Sequence, residues 1–351
     1  MRRLSLSLMA AAAIVLPALA QQRPLPDNLP RVPTPPPAES AENSIIGPTY
    51  SIPPEQVANP EVPQGDVREF ILYSDDSKIY PGIVRIANMT RDAYGNYSVP
   101  PGGLSAPGPY QRHVWVYIPK QVKPNAPFMV VQDGHSYVKR MVNALDNLIA
   151  AKRIPAMIVI FPDSGGSDAQ GSERGLEYDT MSDRYSNWVE SELLPAVEKN
   201  YGVTLTKNPE GRATMGGSSG GIAAFTMAWY HPERYHKVLS YSGTFVNQAY
   251  PEDPKTPRGG WEYHDHMIAK SPRKPIRLWM EVGEKDNRFD APEVTWHNWP
   301  LANNRMAAVL KKKGYDYKYV WAREAGHVDN RVVWQTVPGA LEWLWRDYPK
   351  N

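Results

Sequence analysis

The chain has 351 residues, 42% hydrophobic and 22% charged, which is enough to bury one large core. Its 39 Lys and Arg against 37 Asp and Glu leave it near neutral with no long charged run, so nucleic acid and a polybasic membrane surface are excluded as expected partners. The absence of cysteine excludes disulfides and a lipidation cysteine.

Arg2 and Arg3 precede an apolar run over 4–16, and Ala18-Leu19-Ala20 before Gln21 is a small-x-small cleavage site. Residues 1–20 therefore read as a signal peptide. The run is too short for a membrane span, and no later segment reaches about 18 uninterrupted apolar residues. An exported protein, periplasmic or secreted, is expected. From 21 to 65 the composition shifts: twelve of the 35 prolines lie here and large apolar residues are few. Such a stretch buries too little surface to offset its ordering entropy, so it is expected to be a Pro-rich linker or extended arm, with 50–63 able to lie along the domain.

A catalytic domain is expected over 66–351. Residues 67–73, 82–86 and 112–118 alternate as antiparallel strands opening a mixed sheet, with 88–110 a long loop. Thereafter strands and helices alternate. Strands are predicted at 128–132, 156–161, 238–241, 276–282 and 315–321, with one more opening the run 212–222. Helices are predicted at 138–152, 185–201, from about 221 to 230, at 301–312 and at 337–345. Continuous apolar strands between amphipathic helices mean an α/β fold, with a mostly parallel central sheet, antiparallel N-terminal strands and helices on both faces. Sites in such sheets form at the carboxyl ends of the strands.

The run Arg212-Ala-Thr-Met-Gly-Gly-Ser-Ser-Gly-Gly-Ile222 reads as strand, tight turn and helix start. A serine at the apex of that turn is the nucleophile elbow of α/β-hydrolases, and small residues two before and two after it let strand and helix approach. Ser218, between Gly216 and Gly220, and Ser219, between Gly217 and Gly221, both satisfy the pattern. Ser218 is preferred because Gly221 then falls at the start of the helix. Ser219 would supply a backbone N–H to an oxyanion. A phosphate loop is a poor fit, since the P-loop lysine and the G-x-G-x-x-G spacing are missing.

A serine hydroxyl needs a base, and in this fold the acid and then the histidine follow the serine in chain order. His327, after the last strand, is the candidate base. Asp286, after the preceding strand, is the candidate acid, with Glu284 in reserve and Asp290 third. The acid would hold the imidazole in the tautomer that accepts the serine proton. The loop after 128–132 carries Asp133, Gly134 and His135, so the Gly134 or His135 amide is the second candidate oxyanion donor. Asp133 could instead tie down the turn. His264 and His266 resemble a metal pair without a third ligand, so a solvated loop is favoured and no metal or cofactor is expected.

With these residues identified, the chain resembles the enterochelin esterase-like esterases, which share a fold with the feruloyl and acetylxylan esterases of carbohydrate esterase family one. The resemblance spans roughly 110–347. It rests on Gly216-x-Ser218-x-Gly220-Gly221, the Asp133-Gly134 loop, Arg174-x-x-Glu177-Tyr178, Glu192-Leu-Leu-Pro195 with Tyr201, Gly283-x-x-Asp286 and Gly326-His327. It implies a cofactor-independent serine esterase with Ser218, Asp286 and His327 as triad. Ser219 departs from the Met or Phe that many relatives carry there. The expected substrate is a small-molecule or oligosaccharide ester, of the acylated carbohydrate or aryl type. Siderophore ester hydrolysis and a catalytically inactive binding module on the same fold are the alternatives.

Overall fold

The computed structural model describes residues 30–91, 97–166 and 170–350. The expected signal peptide lies outside them. From Arg31 onward the described residues form one compact unit. No helix among them is long and apolar enough to cross a membrane.

The Pro-rich segment supplies strand β1 (Asn43–Ile46), and β2 (Asp66–Tyr73) follows it. Short strands follow: β3 (Ile83–Arg85), β4 (Thr90–Arg91), β5 (Tyr97–Ser98) and β6 (Ser105–Pro107). Next come β7 (Gln111–Ile118), β8 (Phe128–Val131), helix α1 (Val138–Ala150) and β9 (Ile158–Pro162). Helices α2 (Glu173–Tyr178), α3 (Arg184–Trp188) and α4 (Leu194–Tyr201) lead to β10 (Arg212–Gly217) and α5 (Ser219–Tyr230). The chain closes with β11 (Lys237–Tyr241), α6 (Ile268–Lys270), β12 (Arg277–Gly283), α7 (Trp299–Lys312), β13 (Asp316–Ala322) and α8 (Asn330–Leu344).

Nine strands make one sheet in the order β1-β13-β12-β11-β10-β8-β9-β7-β2. Neighbours from β1 to β9 pair in parallel, whereas β7 is antiparallel to both β9 and β2. The central strands β8 to β11 are buried at every position, which is why they read as unbroken apolar runs. One face packs against α1 and α8 through Met141, Leu145, Val337 and Leu341. The other packs against α3 to α5 and α7 through Trp188, Val197, Phe225 and Leu310.

Three local expectations change. The strand expected at 82–86 does not join the main sheet: β3 pairs in a separate two-stranded ribbon with β6, which lies inside the stretch expected as loop. The Pro-rich arm is not a free linker from Arg31 on, because β1 pairs with β13 and closes that edge of the sheet. Helix α8 begins at Asn330 rather than 337, since Asp329 caps it by accepting the Arg331 amide. Pro338 lies inside α8 and has no N–H to give the carbonyl four residues earlier, which is that of Trp334. The Gln56 side-chain amide, from the arm, donates to that carbonyl instead at 3.2 Å.

Candidate active site

Strand β10 ends on Gly217, and Ser218 turns the chain with φ 58° and ψ −125° before α5 starts at Ser219. A positive φ is strained for any residue but glycine. The turn is held by its backbone: the Ser218 amide donates to the Tyr241 carbonyl at 2.9 Å, and the Ser218 carbonyl accepts from the Gly221, Ile222 and Thr244 amides. Strand and helix then touch. A Cβ on Gly216 would lie 2.4 Å from the Gly220 carbonyl carbon, so the small residues two either side of Ser218 face each other.

The Ser218 hydroxyl is partly exposed, and His327 Nε2 lies 2.8 Å from its Oγ. Thr244 Oγ1 stands 3.5 Å from the same atom. On the other side of the imidazole, Nδ1 is 2.5 Å from Asp286 Oδ1. Asp286 is buried, with its Oδ1 also accepting the Asn287 amide. Trp299 and His327 meet with their rings nearly perpendicular, at 87°, and the centroids 5.7 Å apart. Serine, imidazole and carboxylate thus form one hydrogen-bonded line at the carboxyl ends of β10, β12 and β13.

The other candidates point elsewhere. Ser219 is fully buried, and its hydroxyl donates to Asp179 Oδ2 at 3.0 Å and accepts from Gln248 Nε2 at 3.2 Å, away from His327. Glu284 accepts the Glu324 amide, and Asp290 pairs with Arg31 at the surface.

The loop after β8 approaches the Ser218 turn. Asp133 adopts the left-handed region, with φ 55° and ψ 51°, and Gly134 packs so closely that a Cβ would lie 2.2 Å from the Phe161 carbonyl oxygen. His135 is corrected as an oxyanion donor: its amide and its Nδ1 both engage the Asp163 carboxylate, at 2.9 and 2.7 Å. That leaves the Gly134 amide on this loop. The Ser219 amide opens α5, where no earlier helical carbonyl is in place to receive it.

The motif Arg174-x-x-Glu177-Tyr178 forms helix α2, and each residue has a partner. Arg174 takes the Asp133 carboxylate with two donors, at 3.0 and 2.8 Å. The Tyr178 hydroxyl accepts the Asp133 amide at 3.3 Å. Glu177 forms a buried ion pair with Arg112 of β7. Asp179, which follows Tyr178, is fully buried. Burial lifts its carboxyl to about 6 against the pull of Arg174, Ser219 and Gln248 toward the anion. Asp179, Gln248 and Thr244 were not foreseen. The one signal in the sequence is the polar residue at 219, which requires a polar partner once buried.

His264 and His266 lie on a helical turn over Tyr263–Met267 rather than in a loop. His264 is buried against the Phe245 carbonyl at 3.0 Å, and burial lowers it to about 3. His266 turns instead toward Glu262 and Asp265, where the Arg258 guanidinium already bonds both carboxylates.

The Esterase family model ("Putative esterase") matches residues 107–336. The uncharacterized protein YbbA of Bacillus subtilis (strain 168) is 24% identical over 265 residues, covering 71% of this chain and 98% of its own. The enterobactin esterase FES from Shigella flexneri superposes with a TM-score of 0.54 at 19% identity over 82% of this chain, and the chain spans 62% of that protein. The CE1 ferulic acid esterase from Anaeromyces mucronatus superposes with a TM-score of 0.53 at 13% identity, covering 83% of this chain and 94% of its own. At such identities the two structures show the fold alone. The family match encloses the sheet from β7 onward, the Ser218 turn, Asp286 and His327, and the chain belongs to the Esterase family, on the α/β-hydrolase fold.

Proposed function

We propose that the protein is an exported serine carboxylic ester hydrolase that works through an acyl-enzyme on acylated carbohydrate or aryl esters. The observation that carries this reading is the line Ser218 Oγ, His327, Asp286, with spacings of 2.8 and 2.5 Å, at a strained turn. His327 Nε2 takes the proton as Ser218 Oγ attacks the ester carbonyl, while Asp286 holds the other ring nitrogen and stabilises the imidazolium. The negative charge on the carbonyl oxygen goes to the Ser219 and Gly134 amides. His327 then returns the proton to the departing alkoxide, the acyl group stays on Ser218, and a water activated by His327 releases the acid. Export rests on residues 1–20, and the substrate class on the fold shared with ferulic acid esterase.

The fold shared with enterobactin esterase favours a second reading, siderophore ester hydrolysis. Parallel assays on methyl ferulate, p-nitrophenyl acetate and enterobactin separate the two. A kcat/KM at least about tenfold higher on methyl ferulate supports the first reading, and the reverse order replaces it with the second.

A further inference from the structure

The two turns that flank Ser218 are tied to one short element. Arg174, near the start of α2, forks onto the Asp133 carboxylate at 3.0 and 2.8 Å, and Tyr178 of the same helix accepts the Asp133 amide. Asp179, at the end of α2, accepts the Ser219 hydroxyl at 3.0 Å. Gln248 bridges the second contact: its Nε2 reaches Ser219 Oγ at 3.2 Å and Asp179 Oδ2 at 3.4 Å, while its backbone carbonyl accepts from Gln170 Nε2 at 2.8 Å. All of these atoms except the Arg174–Asp133 pair are buried outright, and that pair is largely so.

Burying a hydroxyl and a carboxylate takes both out of water, which is unfavourable unless they hydrogen-bond to each other. Packing alone does not explain the choice, since an apolar side chain at 219 would fill the same space but take from the buried Asp179 carboxyl the hydroxyl donor that partners it. What the contact fixes is position. Ser219 is the first residue of α5, and its side chain is anchored to Asp179 and Gln248. The Asp133 contact does the same for the turn that carries Gly134. A fork of two charge-assisted bonds restrains orientation as well as distance.

We propose that α2 is a brace for the oxyanion hole. Asp179, through the Ser219 hydroxyl, positions the amide after the nucleophile, and Arg174, through Asp133, positions the Gly134 amide opposite it. The proposal rests on the reading of Ser218 as nucleophile and of these two amides as the oxyanion donors. Neither Asp179 nor Arg174 touches the reacting atoms in it; both are positioning residues.

The test uses the full mature protein with Ser219→Ala, Asp179→Asn, the double variant and Ser218→Ala. Ser219→Ala removes one oxygen and keeps the amide, so it carries the test even if Asp179→Asn does not fold. Displacing a donor costs less than deleting it, so kcat on p-nitrophenyl acetate is expected to fall about 10-fold in each single variant, with KM within about twofold. The double variant is expected to lose no more than about twofold beyond the worse single, because both act on one contact: Ser219→Ala removes its donor, and Asp179→Asn exchanges its charged acceptor for a weaker neutral one. The inhibition constant of a trifluoromethyl ketone, which forms a tetrahedral adduct, should rise by the factor that kcat/KM falls. A role in folding alone would lower the melting temperature and leave that ratio untouched. Full kcat in folded Ser219→Ala, or losses that multiply in the double variant, overturns the brace. If Ser218→Ala remains active, the nucleophile reading falls and the brace with it. If Ser218→Ala is dead while Ser219→Ala keeps full kcat, the brace alone falls.

Discussion

His327 Nδ1 and Asp286 Oδ1 stand 2.5 Å apart although 41 residues separate them in the chain. The contact exists because β12 and β13 run parallel and side by side, with Gly283 opposite Ala322, so the turns that leave them emerge together. Asp286→Asn keeps the shape but can stabilise the wrong imidazole tautomer. It is expected to lower kcat on p-nitrophenyl acetate by about 10³–10⁴. Glu284→Gln, whose carboxylate serves the Glu324 amide, is expected to stay within about fivefold of the parent. Equal losses in the two variants would contradict the assignment of the acid.

Two glycines should respond in opposite directions to the same change. A Cβ on Gly216 lands on the Gly220 backbone, so Gly216→Ala must push the turn apart and is expected to destabilise by more than about 2 kcal/mol. Gly339 lies exposed within α8 with nothing within 4 Å of a Cβ, and Gly339→Ala is expected to stabilise by about 0.5–1 kcal/mol. Denaturant midpoints of both variants check the pair.

The arm carries part of the fold's stability through Gln56. Gln56→Ala removes the donor that serves the Trp334 carbonyl where Pro338 has none, at an expected cost of about 1–2 kcal/mol. Gln56→Glu, which keeps the length but presents an acceptor, should cost at least as much. A midpoint unchanged in both would show that the contact contributes nothing.

Glu173 of α2 is buried beside β3, where its Oε2 accepts the Ile83 amide at 2.7 Å. Burial, and after it the Glu177 carboxylate, raises its carboxyl from 4.5 to about 7. The folded protein therefore binds the proton more tightly than the unfolded chain. Between about pH 4.5 and 7 this group makes stability fall as pH rises. Glu173→Gln removes that dependence, so its melting temperature relative to the parent should be higher at pH 8 than at pH 5. A pH-independent difference would contradict the shift.

Much of this was legible in the residues. Strands such as 128–131 and 158–162 are buried on both faces and announce themselves as apolar runs, and the glycines around Ser218 record a backbone contact. The order serine, acid, histidine follows from strand order, so those three residues could be selected without coordinates. Strand β1 could not. Its residues are half-buried, and it is a strand only because β13 offers a free edge. Helix α8 was misplaced for a similar reason, because the donor that makes Pro338 tolerable comes from Gln56, 278 residues before the Trp334 carbonyl it serves. His135 looked eligible because the position of Asp163 is set by β9, on a neighbouring strand. The contacts of Asp179 and Gln248 are wholly tertiary and leave no periodic trace.

The most direct measurement of the central claim is labelling of the protein with a fluorophosphonate, with the modified residue located by fragmentation of the tryptic 213–234 peptide. Labelling requires a serine activated by its neighbours. The expected result is a stoichiometric adduct on Ser218 that is abolished in Ser218→Ala and in His327→Ala and persists in Ser219→Ala. An adduct on Ser219, or undiminished labelling of Ser218→Ala, would contradict the account.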